Sequence, residues 1–122
     1  MTRWRFLLAR TLRDETALAA LSVPQRDLLA ALDGRRVALV GNARALAATR
    51  HGAAIDAADL VIRINRARMP ARASHGVRTD WLALATSLPG ADRDRIAPGR
   101  VLWMSPKRKR LDWRTARAPG FY

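Results

Sequence analysis

Apolar positions along the chain fall into two patterns. Val37–Val40, Leu60–Ile64, Asp80–Ala85 and Val101–Met104 are short, nearly continuous apolar runs bounded by Gly, Asn, Asp, Arg, Ser or Thr. Such runs predict strands covered on both faces. The first closes on Gly41-Asn42, a short Ala-rich helical segment comes next, and the second closes on Asn65, which reads as strand, turn, helix, strand. Upstream, Leu18, Leu21, Leu28, Leu29 and Leu32 fall near helical spacing but are interrupted by Ser22-Val23-Pro24. Two short helices are expected there, with Pro24 opening the second and Asp33-Gly34 ending it. Met1–Arg10 alternates basic and apolar residues, a basic amphipathic helix with Trp4 and Phe6 on one side. It fits docking on its own domain, contact with a membrane surface, or a cleaved targeting segment.

Strands separated by crossovers imply a parallel sheet. The expected architecture is α/β, a Rossmann-like three-layer fragment with about four parallel strands. One domain covers 1–122, with N-terminal helices over 1–34, a βαβ core over 35–105 and a basic tail over 106–122. Arg66–Arg78, with Pro70 and Gly76 and no periodicity, is expected to loop over the site.

Composition narrows the class. At 122 residues the chain fits one domain, and no apolar run is long enough for a membrane span. It has no cysteine, which excludes disulfides and thiolate metal sites and suits a reducing compartment, so a cytoplasmic location, with peripheral membrane contact through residues 1–10, is the expectation. The formal charge of +13 is spread through nearly every segment. Nucleic-acid binding concentrates its cations, so the breadth argues against it. Biased composition and a general field for anionic ligands both remain open. Lys107–Arg110 reads as a solvated basic run, a phosphate contact or a sorting signal.

In a βαβ unit the ligand lies outside the carboxyl ends of the strands, which puts Gly41, Asn42 and Asn65 on one rim. Gly41 lets backbone approach a ligand closely, and the N–H groups of Asn42 and Ala43 open the next helix, where anions are favoured. Asn42 reads as a helix N-cap or as a ligand-binding amide, and Asn65 as a turn former or a ligand contact. Arg63 sits inside a strand and needs a partner, for which Asp56 or Asp59 is the natural choice. Thr79 either opens the third strand or bonds a ligand.

The residues also carry a resemblance. Val40-Gly41-Asn42-Ala43, Gly52 with Ile55-Asp56, Asp59 through Ala67, and Gly76-Val77-Arg78-Thr79-Asp80 agree in order and spacing with the L sialylmotif of sialyltransferases, glycosyltransferase family 29. The similar stretch is 37–84. It implies the N-terminal half of a GT-A-variant sialyltransferase, a nucleotide-binding core at 35–105, and a CMP-sialic acid donor contacted by Gly41, Asn42, Ala43, Asn65 and Thr79. It implies no cofactor and no metal, and a glycan acceptor it does not identify. Animal members resembling this pattern carry a cysteine at the head of the motif, whereas Val37 begins the strand here. Neither His51 nor His75 matches the family's catalytic histidine, and the distal S-type motif is not among these residues, so no catalytic residue is assigned. The expectation is an incomplete, inactive sialyltransferase homologue that retains the nucleotide-binding half. The alternative is a non-catalytic basic module for anionic polymers.

Overall fold

The computed structural model describes residues 1–122. Three helices, α1 (Arg3–Leu12), α2 (Glu15–Ala19) and α3 (Gln25–Leu32), precede β1 (Val37–Val40). Thr2 and Asp14 start the first two by accepting the amides of Arg5 and Ala17. Pro24 sits at the start of α3, and Gly34 beyond its end takes φ +65°, as proline and glycine at these positions predict. A 3-10 turn (Arg44–Ala48) and α4 (Gly52–Asp56) lead to β2 (Leu60–Ile64). Then come α5 (Arg72–His75), β3 (Trp81–Leu84), α6 (Gly90–Ile96) and β4 (Arg100–Trp103). A second 3-10 turn (Arg108–Arg110) and α7 (Trp113–Ala116) end at β5 (Gly120–Phe121).

All strand pairs are parallel, in the order β1-β2-β3-β4-β5. When every crossover is right-handed and advances the same way, the connections fall on one face of the sheet. The packing shows this: Leu82, Leu84, Val101 and Trp103 share a core with Phe6, Leu18, Ile96, Leu111, Ala116 and Tyr122. Leu60, Ile62, Trp81 and Ala83 point to the other face, where Leu28, Ala31 and Leu32 of α3 cover them. The result is a lopsided three-layer α/β fold, Rossmann-like in its layering. Only α3 lies on the second face, and at the open edge of β1 Leu39 remains exposed.

Several expectations need correction. The sheet has five strands, not four, because the tail 106–122 is folded: Leu111 and Ala116 enter the core, and Gly120-Phe121 pairs with Val101-Leu102. A two-residue strand has too few positions to show any period. Gly120 is required there because a Cβ would come within 2.6 Å of the Val101 carbonyl oxygen. The Ala-rich segment after Asn42 begins as a 3-10 turn and becomes α-helical only at Gly52. Within Arg66–Arg78, the expected loop, residues 72–75 form α5 against α4. Trp4 and Phe6 lie on nearly opposite sides of α1: Phe6 is fully buried and Trp4 is exposed.

Tyr122 is buried, with its hydroxyl reaching the carbonyls of Thr115 (2.6 Å) and Ala118 (2.7 Å). Burial pushes its pKa from 10.0 up to about 12, with Arg93 opposing and Asp112 adding to the rise. The unfolded chain gives up this proton first. The stability Tyr122 contributes is therefore whole below about pH 10 and is lost as pH climbs to about 12. Tyr122 is the one tyrosine, so phenolate absorbance reports it alone. Titration of the folded protein is expected to centre near 12; a midpoint at the denatured-state value would show the phenol to be solvated.

Candidate functional site

The two asparagines stand where the strands end, and each extends the sheet by one side-chain bond. Asn42 Nδ2 donates to the carbonyl of Ile64 at 2.8 Å, across from β1 to β2. Asn65 Oδ1 accepts the amide of Ala85 at 3.1 Å, across from β2 to β3. Asn65 sits at φ +52°, in the left-handed region that asparagine tolerates better than most residues. Asn42 is not a helix N-cap, because Ala43 holds that position before the 3-10 turn. These bonds fix both amides and leave Asn42 Oδ1 free to accept and Asn65 Nδ2 free to donate.

Asn42 and Asn65 line one cleft of about 370 Å³. Its other walls are Arg66, Arg68 and the turn Thr86–Pro89. The turn is held from below: Ser87 Oγ donates to the Arg110 carbonyl at 2.9 Å. Arg66 and Arg68 were not singled out from the sequence, although their signal is visible in Asn65-Arg66-Ala67-Arg68, two cations directly after a strand's carboxyl end. Thr86 and Ser87 had no such signal. Gly41 and Ala43 line a neighbouring apolar groove with Leu39, Leu46, His51 and Ile55. So the structure brings the asparagines together and sets Gly41 and Ala43 beside them.

Thr79 lies at the opposite end of the sheet. It precedes β3, and its Oγ1 accepts from Arg63 Nε at 3.1 Å. The rest of the Asp- and Arg-rich pattern gathers there too. Arg63 is 1% exposed and is held by carbonyls rather than by the carboxylates expected: Nε donates to Arg78 (2.8 Å) and Nη2 to His75 (2.6 Å). Burial lowers its pKa, and the nearby Asp56 carboxylate opposes the shift. Asp56 instead accepts the amides of Val77 and Arg78, each at 3.0 Å. Arg78 returns its guanidinium to the carbonyls of Asp56 and Ala58 and to Asp80, which also accepts the Val61 amide. Asp59 accepts the Arg36 amide at 2.8 Å, and that bond lowers its pKa more than burial raises it. His75 is buried, with Nδ1 2.7 Å from Ser74 Oγ. Neither histidine lines the asparagine cleft. No group of three His, Cys, Asp or Glu side chains is placed to hold a metal.

A five-stranded parallel sheet flanked by helices, with a polar and basic cleft over the carboxyl ends of β1 and β2, defines a Rossmann-like α/β protein. The model of glycosyltransferase family 29 (sialyltransferase) matches residues 5–101, and the chain belongs to that family. The match runs beyond the expected 37–84 on both sides, starting within α1, taking in α2 and α3 and reaching the start of β4. No curated protein and no solved structure matches the chain.

Two glycines of the motif separate folding from other duties. Gly76 takes φ +66°, and a Cβ on it would collide with Asp56 Oδ1. Gly41 has ordinary φ, and a Cβ there would meet nothing within 4 Å. Gly76→Ala is expected to cost on the order of 2–4 kcal/mol, from left-handed strain and the displaced Asp56 clamp. Gly41→Ala should stay within about 0.5 kcal/mol of the parent. Urea unfolding midpoints measure both, and equal midpoints would contradict this division.

Proposed function

We propose that this chain binds the nucleotide of a CMP-sugar donor, CMP-sialic acid, at the cleft between Asn42 and Asn65, as the donor-binding part of a GT-A-variant sialyltransferase. The observation that carries the reading is the shared cleft: two oriented amides with free polar atoms, walled by Arg66 and Arg68, at the strand ends. Asn65 Nδ2 and the guanidinium groups supply donors for a phosphate, and charge-assisted bonds of this kind are the strong ones. Asn42 Oδ1 supplies an acceptor for a ribose hydroxyl or the cytosine amino group. Gly41 adds a second strand of support, because folding places no demand on it and a close ligand would. No histidine or carboxylate lines the cleft, so its side chains recognise rather than transfer protons. Thr79 has no part in this contact, being engaged with Arg63 at the far end of the sheet.

Isothermal titration with CMP and the other nucleoside monophosphates tests the proposal. CMP should bind with preference over the others. Asn65→Asp should weaken it about ten- to a hundredfold, the worth of a hydrogen bond to a charged group, and Asn42→Ala about two- to tenfold, the worth of a neutral one. The aspartate keeps the acceptor that holds the Ala85 amide, so the sheet is preserved. Gly41→Ala should weaken binding while leaving stability alone, and neutralising Lys107 to Arg110 should matter little. If the asparagine variants bind as the parent does, and affinity shows no base preference but falls steeply with salt, the arginine field is the binding element and the proposal fails.

A further inference from the structure

Helix α1 has two apolar faces. Phe6 and Ala9 are buried against the domain, with the Phe6 ring 5.4 Å from Trp113. On the far side, Trp4 (82% exposed), Leu8 (60%) and Leu12 (69%) stand four residues apart. At 100° per residue they fall in a stripe about 80° wide. An ordinary surface helix turns polar residues outward, so a tryptophan and two leucines aligned toward solvent call for a cover.

The surrounding charge says what kind of cover. Arg3, Arg5 and Arg13 are exposed around the stripe, and the first turn has no acidic residue. The basic run lies alongside: α1 contacts the 3-10 turn Arg108–Arg110, and Arg10 Nη1 donates to the Leu111 carbonyl at 3.3 Å. A second copy docked face to face would set these arginines against their own kind, on a chain carrying +13. An anionic bilayer reverses the sign: the leucines enter the acyl boundary, the indole lies at headgroup depth, and the guanidinium groups meet lipid phosphates.

We infer that α1 is a peripheral membrane-binding element that lies in the surface of an anionic phospholipid bilayer through Trp4, Leu8 and Leu12, with Arg3, Arg5, Lys107, Lys109 and Arg110 as its electrostatic flank. It is already held by Phe6 and Ala9, so binding orders no new helix. Ser87 ties the Thr86–Pro89 wall of the cleft to the Arg110 carbonyl, so the membrane-facing run and the cleft are joined through one short turn. The surface stands independently of what the cleft binds.

The test is co-sedimentation of the full chain with vesicles of equimolar phosphatidylglycerol and phosphatidylcholine, and with pure phosphatidylcholine vesicles. Binding is expected to the first and to be far weaker to the second. Trp4→Gln with Leu8→Gln should cut partitioning at least about tenfold. Arg3→Gln and Arg5→Gln should each cut it about fivefold. These side chains face solvent, so thermal unfolding should be unchanged; that check separates lost binding from lost structure. The other three tryptophans are buried or partly so, and a blue shift of emission on vesicle addition should vanish in the Trp4 variant. Absence of binding to the anionic vesicles, or binding indifferent to Trp4 and Leu8, overturns the inference. So does a concentration-dependent dimer that the Trp4 and Leu8 changes abolish, which would assign the stripe to a second copy.

Discussion

The arrangement depends first on a buried cation. Arg63 lies in the second strand with its guanidinium sealed from water, and such a charge persists only where polar groups surround it. Carbonyls of Arg78 and His75 and the Thr79 hydroxyl take Nε and Nη2, and Nη1 is left buried without a partner. Bringing those groups to one point means that the chain between β2 and β3 must double back at Gly76, and the turn is held by Asp56 taking the Val77 and Arg78 amides. Arg78 and Asp80 then tie the turn to α4 and to β2. One desolvated charge thus sets the path of α4, α5 and the entry to β3. Residues that read as a ligand-binding motif are largely the joinery of the sheet's amino-terminal end.

With that end secured, the carboxyl end is free to present polar groups. Asn42 and Asn65 each commit half of their amide to the neighbouring strand and keep half. A side chain held on one side and free on the other is pre-oriented, which lowers the entropic cost of binding. The strand order never reverses within these residues, so no crevice of the usual doubly wound kind forms. The cleft is instead walled by the segments that leave β2 and β3: two arginines after the one, and after the other a turn that ends at Pro89.

Charge has a different meaning at each place it occurs. Arg63 and Arg78 hold backbone, Arg108 reaches Glu15 and the Tyr122 carbonyl, and Arg114 pairs with Asp94. Exposed pairs of this kind add little stability. Of the remaining cations some stand around α1 and along the cleft wall, and others, Arg35, Arg44, Arg50, Arg72 and Arg117, are exposed elsewhere on the surface. A spread-out composition therefore resolves into a few internal braces and a broadly basic surface, of which the α1 flank and the cleft wall are two parts.

Residue order was enough to specify the four longer strands, the helix break at Pro24, the stop at Gly34 and membership of the family, because each rests on local periodicity, backbone restriction or motif spacing. It also placed Gly41, Asn42 and Asn65 at strand ends, since strand direction and turn chemistry suffice for that. Which partners they meet was settled by packing across the sheet. Thr79 and Asn65 are neighbours in one motif, yet a strand's length separates them, because a parallel crossover returns the chain to the opposite end of the sheet. Arg63 took carbonyls instead of carboxylates because Asp56 was already occupied by amides. Gly120-Phe121 became a strand only because β4 offered a free edge, and Trp4 was turned from Phe6 by the helical repeat once Phe6 claimed the core. In each case the deciding contact joins residues far apart in sequence, which no local pattern can register.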